Sequence, residues 1–176
     1  PLPAFTGQAD AVAVNIADPG AATRLLADRP DVIFHLAAIV SGEAEADFDK
    51  GYAVNLDASR ALFEGVRRVP GYHPRLIFAS SIAVFGPPFP SVIPDDFHLT
   101  PRTSYGTQKA ATELLISDYT RREIFDGIAL RLPTIVDDVE HDDRDVVAAA
   151  ALQGQADELV GGLRRILETS EHRGHL

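Results

Sequence analysis

The chain has 176 residues, is 45% hydrophobic and carries a formal net charge of −10. That composition suits one soluble domain with a real core, and it excludes a basic surface for nucleic acid or anionic lipid. Cysteine is absent, which excludes disulfides and thiolate chemistry and fits a cytoplasmic protein; no run approaches the ~18 apolar residues of a membrane-spanning helix, and no signal peptide is visible.

In chain order, residues 1–10 read as irregular. Ala11 to Ile16 is a short apolar run, expected as a buried strand. Asp18 then reads as a helix cap with Pro19 at the first helical position, and Ala22, Leu25 and Leu26 supply an apolar stripe that ends at Pro30-Asp31. Val32-Ile33-Phe34-His35-Leu36 is apolar on both faces, as expected of a central parallel strand. A long helix is expected over about 43–69, with Phe48, Tyr52, Leu56, Phe63 and Val66 at spacings near 3.6. Pro70, Gly71 and Pro74 break it, and Arg75 to Ala79 is the next strand, running into Ser80-Ser81. A loop with five prolines leads to an amphipathic helix over about 103–123, and Gly127 to Leu132 is a further strand ended by Pro133. Beyond Val136 come an acidic run, 137–143, and one helix over about 145–168.

Strands alternating with helices predict an α/β fold with a parallel sheet covered on both faces. Ligands in such folds bind beyond the carboxyl ends of the strands. The residues expected there are Leu36, Ala37 and Ala38, then Ser80 and Ser81, then Pro133 and Thr134. The last helix adds Tyr105 and Lys109, four residues apart and therefore on one face. An ammonium beside a phenol favours the phenolate, and a phenol tuned downward serves as general acid or base. With 4 Tyr and two Lys in the chain, chance alignment at this spacing is roughly 0.05, so coincidence is the weaker explanation. Other polar residues have plainer readings. His35 suits a satisfied core histidine as well as a cofactor contact. Glu43, Glu45, Asp47 and Asp49 suit a solvated helix start, with one of them reaching a substrate hydroxyl as the sharper option. Glu140, His141, Asp142 and Asp143, with His172 and His175, match no defined metal geometry, so no metal is expected.

Taken together, these segments resemble the extended short-chain dehydrogenase/reductases, the NAD-dependent epimerase/dehydratase group. Asn15-Ile16-Ala17-Asp18 resembles the adenine-side segment, and His35-Leu36-Ala37-Ala38 the strand end that lines the cofactor. Asn55 resembles the helix asparagine of the family's catalytic tetrad. Ser80-Ser81-Ile82-Ala83-Val84-Phe85-Gly86 resembles its serine segment, with Ser81 as the catalytic hydroxyl. Tyr105 and Lys109 are its YxxxK pair, and Arg131-Leu132-Pro133-Thr134 resembles the strand end beside the nicotinamide. The resemblance implies Ser81, Tyr105, Lys109 and Asn55 as catalytic residues, with Asn55 supporting a link behind Lys109. It implies cofactor contacts from Asn15, Ile16, Leu36, Ala37, Ala38, Ser80, Tyr105, Lys109, Pro133 and Thr134. NAD is the implied cofactor, with NADP open. Within the family, Ala38 to Glu45 and Ser104 to Lys109 are most similar to a subgroup that oxidises the 2-hydroxyl of a sugar acid such as D-erythronate. Pairing of two copies through the two long helices is a further option that the family offers.

Two departures shape the expectation. No GxxGxxG spacing occurs in the chain, and the segment after Val136 is unlike the family's substrate-binding region. The expected architecture is therefore an incomplete Rossmann-like, doubly wound parallel sheet over residues 1–136 with an acidic loop and helical tail over 137–176. The absence of Met at position 1 fits a segment of a longer fold. Three functions stay open: the sugar-acid dehydrogenase, a nucleotide-sugar epimerase or dehydratase with the same Ser, Tyr and Lys, and an inactive remnant.

Overall fold

Three of the apolar runs form one parallel sheet. Strand β1 is Val32–His35, β2 is Arg75–Ser81 and β3 is Asp126–Leu132, in the order β1-β2-β3. The register pairs His35 with Phe78 and Ser81 with Leu132, so the carboxyl ends of the strands lie at one end of the sheet. The structure is a computed structural model that describes residues 12–133. Thr134, the acidic run and the expected helix over 145–168 lie outside the described residues.

The helices are α1 (Ala21–Leu25), α2 (Ser41–Ala46), α3 (Phe48–Tyr52), α4 (Ala58–Arg67) and α5 (Ser104–Arg121). Helix α4 buries Ala58, Ser59, Leu62, Phe63 and Val66, the stripe that a 3.6-residue period predicts. Leu62, Phe63 and Val66 of that stripe join Leu76 and Phe78 of β2, Ile116 of α5, and Phe125 in one core cluster. Phe63 lies 5.2 Å from the Phe125 ring and 5.8 Å from Tyr119, centroid to centroid. Burying a side chain of this size stabilises the fold by roughly 1.5–3 kcal/mol.

Five expectations need correction. Residues 12–15 form no strand with the described residues, and Val12 is exposed. Asp18 does not cap α1 with its side chain. Its carboxylate takes the Asn15 amide, its backbone oxygen takes the Ala21 N–H, and Gly20 at φ 80° precedes the helix. Strand β1 is not central within the described sheet, since β2 alone pairs with it and Val32 and Phe34 are 45% and 47% exposed.

The helix expected over 43–69 is broken at Asp47. The Asp47 side chain accepts the Lys50 N–H at 3.0 Å, so an aspartate inside the apolar period ends one helix and caps the next. A π-helical turn, Ala53–Asp57, then interrupts the continuation into α4. Lastly, α5 is not amphipathic in the ordinary sense. Its buried face is mostly polar, with Gln108, Lys109, Thr112 and Glu113 inside, while Leu114 is 65% exposed.

Candidate active site

The site gathers beyond the carboxyl end of β2. Ser81 is the last residue of that strand, and its hydroxyl accepts the Ala83 N–H at 3.1 Å, starting a 3-10 turn over Ile82–Val84. Helix α5 begins against this turn. Its N-cap, Thr103, accepts the Gly106 N–H at 3.0 Å, and a Glu45 carboxylate oxygen accepts the Ser104 N–H. Gly106 is needed for that approach: a Cβ there would lie 2.2 Å from the Ala83 carbonyl oxygen. The result brings the first turn of α5, and Tyr105 with it, onto the serine segment.

The Ser81 hydroxyl near Tyr105 pulls the phenol pKa down. Burial has the larger effect and leaves the phenol above its ordinary value of 10.0. The expected lowering of Tyr105 by Lys109 is thus not seen. The Lys109 ammonium is 5.6 Å from the Tyr105 ring centroid and 4.6 Å from that of Phe78, and it donates to the Ala79 carbonyl at 2.8 Å. Burial lowers the Lys109 pKa to about 8.

Asn55 sits in the π-helical turn and is 1% exposed. Its Oδ1 accepts the Ile39 N–H at 2.8 Å, and its Nδ2 donates to the Ile39 carbonyl at 3.2 Å and to Gln108 Oε1 at 2.8 Å. Asn55 is therefore an interior, fully bonded side chain and not a solvated one. Its backbone carbonyl takes the Ser59 hydroxyl at 2.8 Å and the Thr112 hydroxyl at 3.4 Å. A π turn displaces a carbonyl from the regular i to i+4 ladder, which lets side chains reach it. Asn55 ties the segment after β1 to α5, beside Lys109 in sequence.

The other predicted residues divide by place. Leu36, Ala37 and Ala38 follow β1 and are half-buried, and Pro133 follows β3 and is exposed. With Ser81 they mark the carboxyl ends of three neighbouring strands. Ser80 faces elsewhere: it is buried, and its hydroxyl donates to the Glu113 carboxylate on α5. Asn15 and Ile16 lie in the turn before α1, where Asn15 Oδ1 accepts the Ala17 N–H at 3.1 Å. His35 is a core histidine. Its Nε2 meets Ser59 Oγ at 2.7 Å, its ring packs 5.4 Å from Phe78, and burial, then the Lys109 charge, lowers its pKa to about 4. The acidic run of 43–49 is used locally: Glu43 pairs with Lys50, Glu45 binds the start of α5, and Asp47 caps α3.

Sequence reasoning missed Gln108 and Glu113. Gln108 is fully buried and Glu113 is 7% exposed. The available signal was their spacing. Glu113 is four residues beyond Lys109 and eight beyond Tyr105, so all three share one helix face. Among the described residues no cluster could hold a metal, and no helix is long and apolar enough to cross a membrane.

Ala37 and Ala38, at the end of β1, are small and half-buried, and Tyr105 and Lys109 stand in the first turns of α5.

Comparison with known proteins agrees with this geometry. The sequence pattern described as the NAD dependent epimerase/dehydratase family matches residues 4–167. The chain is 54% identical over 121 residues to D-erythronate dehydrogenase of Cupriavidus necator, which covers 69% of this chain and 37% of that protein. It is 48% identical over 122 residues to D-erythronate dehydrogenase of Haemophilus influenzae, covering 69% of this chain and 38% of that protein. The chain thus spans well under half the length of these curated relatives. A solved structure described as a nucleoside-diphosphate-sugar epimerase from Agrobacterium tumefaciens superposes with a TM-score of 0.73 at 57% identity, over 86% of this chain and 44% of that one. A parallel sheet with its serine and tyrosine-lysine segments at one end, and a family pattern running through most of the sequence, make this chain a member of the NAD dependent epimerase/dehydratase family.

Proposed function

We propose that this chain carries the catalytic segment of an NAD-dependent dehydrogenase that oxidises the 2-hydroxyl of a sugar acid such as D-erythronate. The observation that carries the reading is the seating of the start of α5, with Tyr105, against the segment that follows Ser81, with Lys109 Nζ 5.6 Å from the phenol ring centroid. The identity to two D-erythronate dehydrogenases supports the substrate class.

In this reading Tyr105, in its ionised form, takes the proton from the substrate hydroxyl. Ser81 hydrogen-bonds the same oxygen and orients it, and Lys109 Nζ stands beside the pair, 5.6 Å from the phenol ring centroid. Bound NAD supplies the hydride acceptor. Leu36, Ala37, Ala38 and Pro133 would line its nicotinamide end, and Asn55 holds the segment after β1 through Ile39. Since burial raises the Tyr105 pKa, oxidation is expected to quicken with rising pH.

A second reading, a nucleotide-sugar epimerase, is favoured by the 57% identity to a structure described in those words. The same Ser, Tyr and Lys would serve it. Both are tested by incubating the chain with NAD and D-erythronate and following the absorbance of the reduced nicotinamide. Turnover abolished by Tyr105→Phe supports the dehydrogenase. Conversion of a nucleotide sugar, with none of the acid, supports the epimerase. Neither turnover nor NAD binding by calorimetry would overturn both readings for this chain.

A further inference from the structure

Glu113 is buried deep in the molecule, yet it is charged and touches none of the groups assigned a chemical step. Its carboxylate accepts the Ser80 hydroxyl from β2 and a bidentate grip from Arg131 of β3, with Arg131 Nη2 to Oε2 at 2.9 Å and Nε to Oε1 at 3.2 Å. Arg131 in turn donates to the Asp95 carbonyl at 3.0 Å, and its guanidinium lies 4.9 Å from the Phe85 ring centroid. One carboxylate therefore joins α5, the ends of β2 and β3, and the proline loop. Burying an ion pair is a weak way to gain stability, because desolvation offsets most of the attraction. Its value here lies in geometry. Ser80 precedes Ser81, so fixing the Ser80 side chain fixes the direction in which Ser81 leaves the strand. Glu113 also stands on the same helical face as Tyr105 and Lys109, so the element that carries the phenol is the element that pins the serine.

We propose that Glu113 is a positioning residue: through Ser80 and Arg131 it sets the end of β2 so that the Ser81 hydroxyl meets Tyr105. The inference rests on the reading of Ser81 and Tyr105 as the reacting pair, but its test does not require turnover.

The readout is the titration of Tyr105, followed by NMR on the chain labelled with 13C-tyrosine. The chain has 4 Tyr, and the Tyr105 signal is the one lost in Tyr105→Phe. The groups facing the phenol are Ser81 and the Lys109 ammonium. Ser80→Ala keeps Glu113, Arg131 and Lys109, and removes the tether alone. The Tyr105 midpoint is expected to move up by about 1 pH unit as Ser81, which lowers it, moves away from the phenol. Glu113→Gln is expected to move it up as well. Loss of a negative charge by itself would move it down, so the direction separates positioning from simple electrostatics. A lower melting temperature with an unchanged midpoint in Ser80→Ala would overturn the proposal, as would a downward shift in Glu113→Gln. If Glu113→Gln does not fold, Ser80→Ala decides alone. Absence of turnover alongside the upward shifts would sink the dehydrogenase and epimerase readings and leave the positioning role standing.

Discussion

Asn55 and Gln108 are hydrogen-bonded at 2.8 Å in the interior, joining the π-helical turn to the helix that carries Tyr105 and Lys109. Asn55 also holds both backbone groups of Ile39. Replacing it by Ala leaves the Ile39 N–H without this partner and Gln108 Oε1 without its donor in a water-poor site. Each orphaned group costs about 1–3 kcal/mol, so Asn55→Ala is expected to lose about 2–6 kcal/mol in urea unfolding. Asn55→Asp keeps the Ile39 N–H partner but sets a carboxylate oxygen against Gln108 Oε1 and the Ile39 carbonyl. It is expected to be at least as destabilised at neutral pH and to recover on acidification.

Gly106→Ala tests the seat of α5. A methyl group there would lie 2.2 Å from the Ala83 oxygen and 3.1 Å from Pro101 Cβ. Alanine is the better helix former by about 1 kcal/mol, but overpacking of a tight contact costs about 1–3 kcal/mol. The contact is with backbone, which yields little, so the clash outweighs the propensity. The variant is expected to unfold at lower urea and to draw Tyr105 away from Ser81, seen as a raised tyrosine titration midpoint.

His35 gives a pH signature. Its pKa falls from 6.5 unfolded to about 4 in the fold. The unfolded chain therefore binds more protons across that window, and stability drops as pH falls from 6.5 toward 4. The full loss is about 3 kcal/mol. Urea midpoints measured at pH 7 and 4.5 should differ less in His35→Leu than in the parent. An equal drop in both would place the acid sensitivity elsewhere.

The positions of these groups were unevenly legible in the sequence. Apolar runs and helical periods located the three strands, and the YxxxK spacing placed Tyr105 and Lys109 on one face at the start of α5, because local pattern governs both. Asp47 and the π turn were not legible, since Phe48, Tyr52 and Leu56 kept a helical period across the break. What ends α2 is one side chain choosing the Lys50 N–H. The run at 12–16 failed for a different reason. Strand formation needs a neighbour, and apolarity alone does not supply one. Ser80 and Glu113 could not be paired from sequence because 33 residues separate them. Only the fold shows that the polar face of α5 is the buried one.

Lys109 sets stability against chemistry. Burial lowers its pKa from 10.5 to about 8, so at neutral pH the fold carries a charged amine that water would solvate better. Between pH 8 and 10 the unfolded chain holds its proton more tightly, and stability should rise with pH across that interval by about 2–3 kcal/mol. Above 10 the tyrosines oppose this, because burial raises the pKa of Tyr72, Tyr105 and Tyr119 and the unfolded chain ionises first. Lys109→Met keeps most of the side-chain volume and removes the charge. It is expected to be more stable than the parent at pH 7 by about 1–3 kcal/mol, with no rise between pH 8 and 10, and to be inactive in the erythronate assay. The hydrogen bond to Ala79 and the contact with the Phe78 ring work against that gain. They are worth about 1–2 kcal/mol together, less than burial costs. A variant less stable than the parent at pH 7 would mean that these contacts outweigh the burial of the charge.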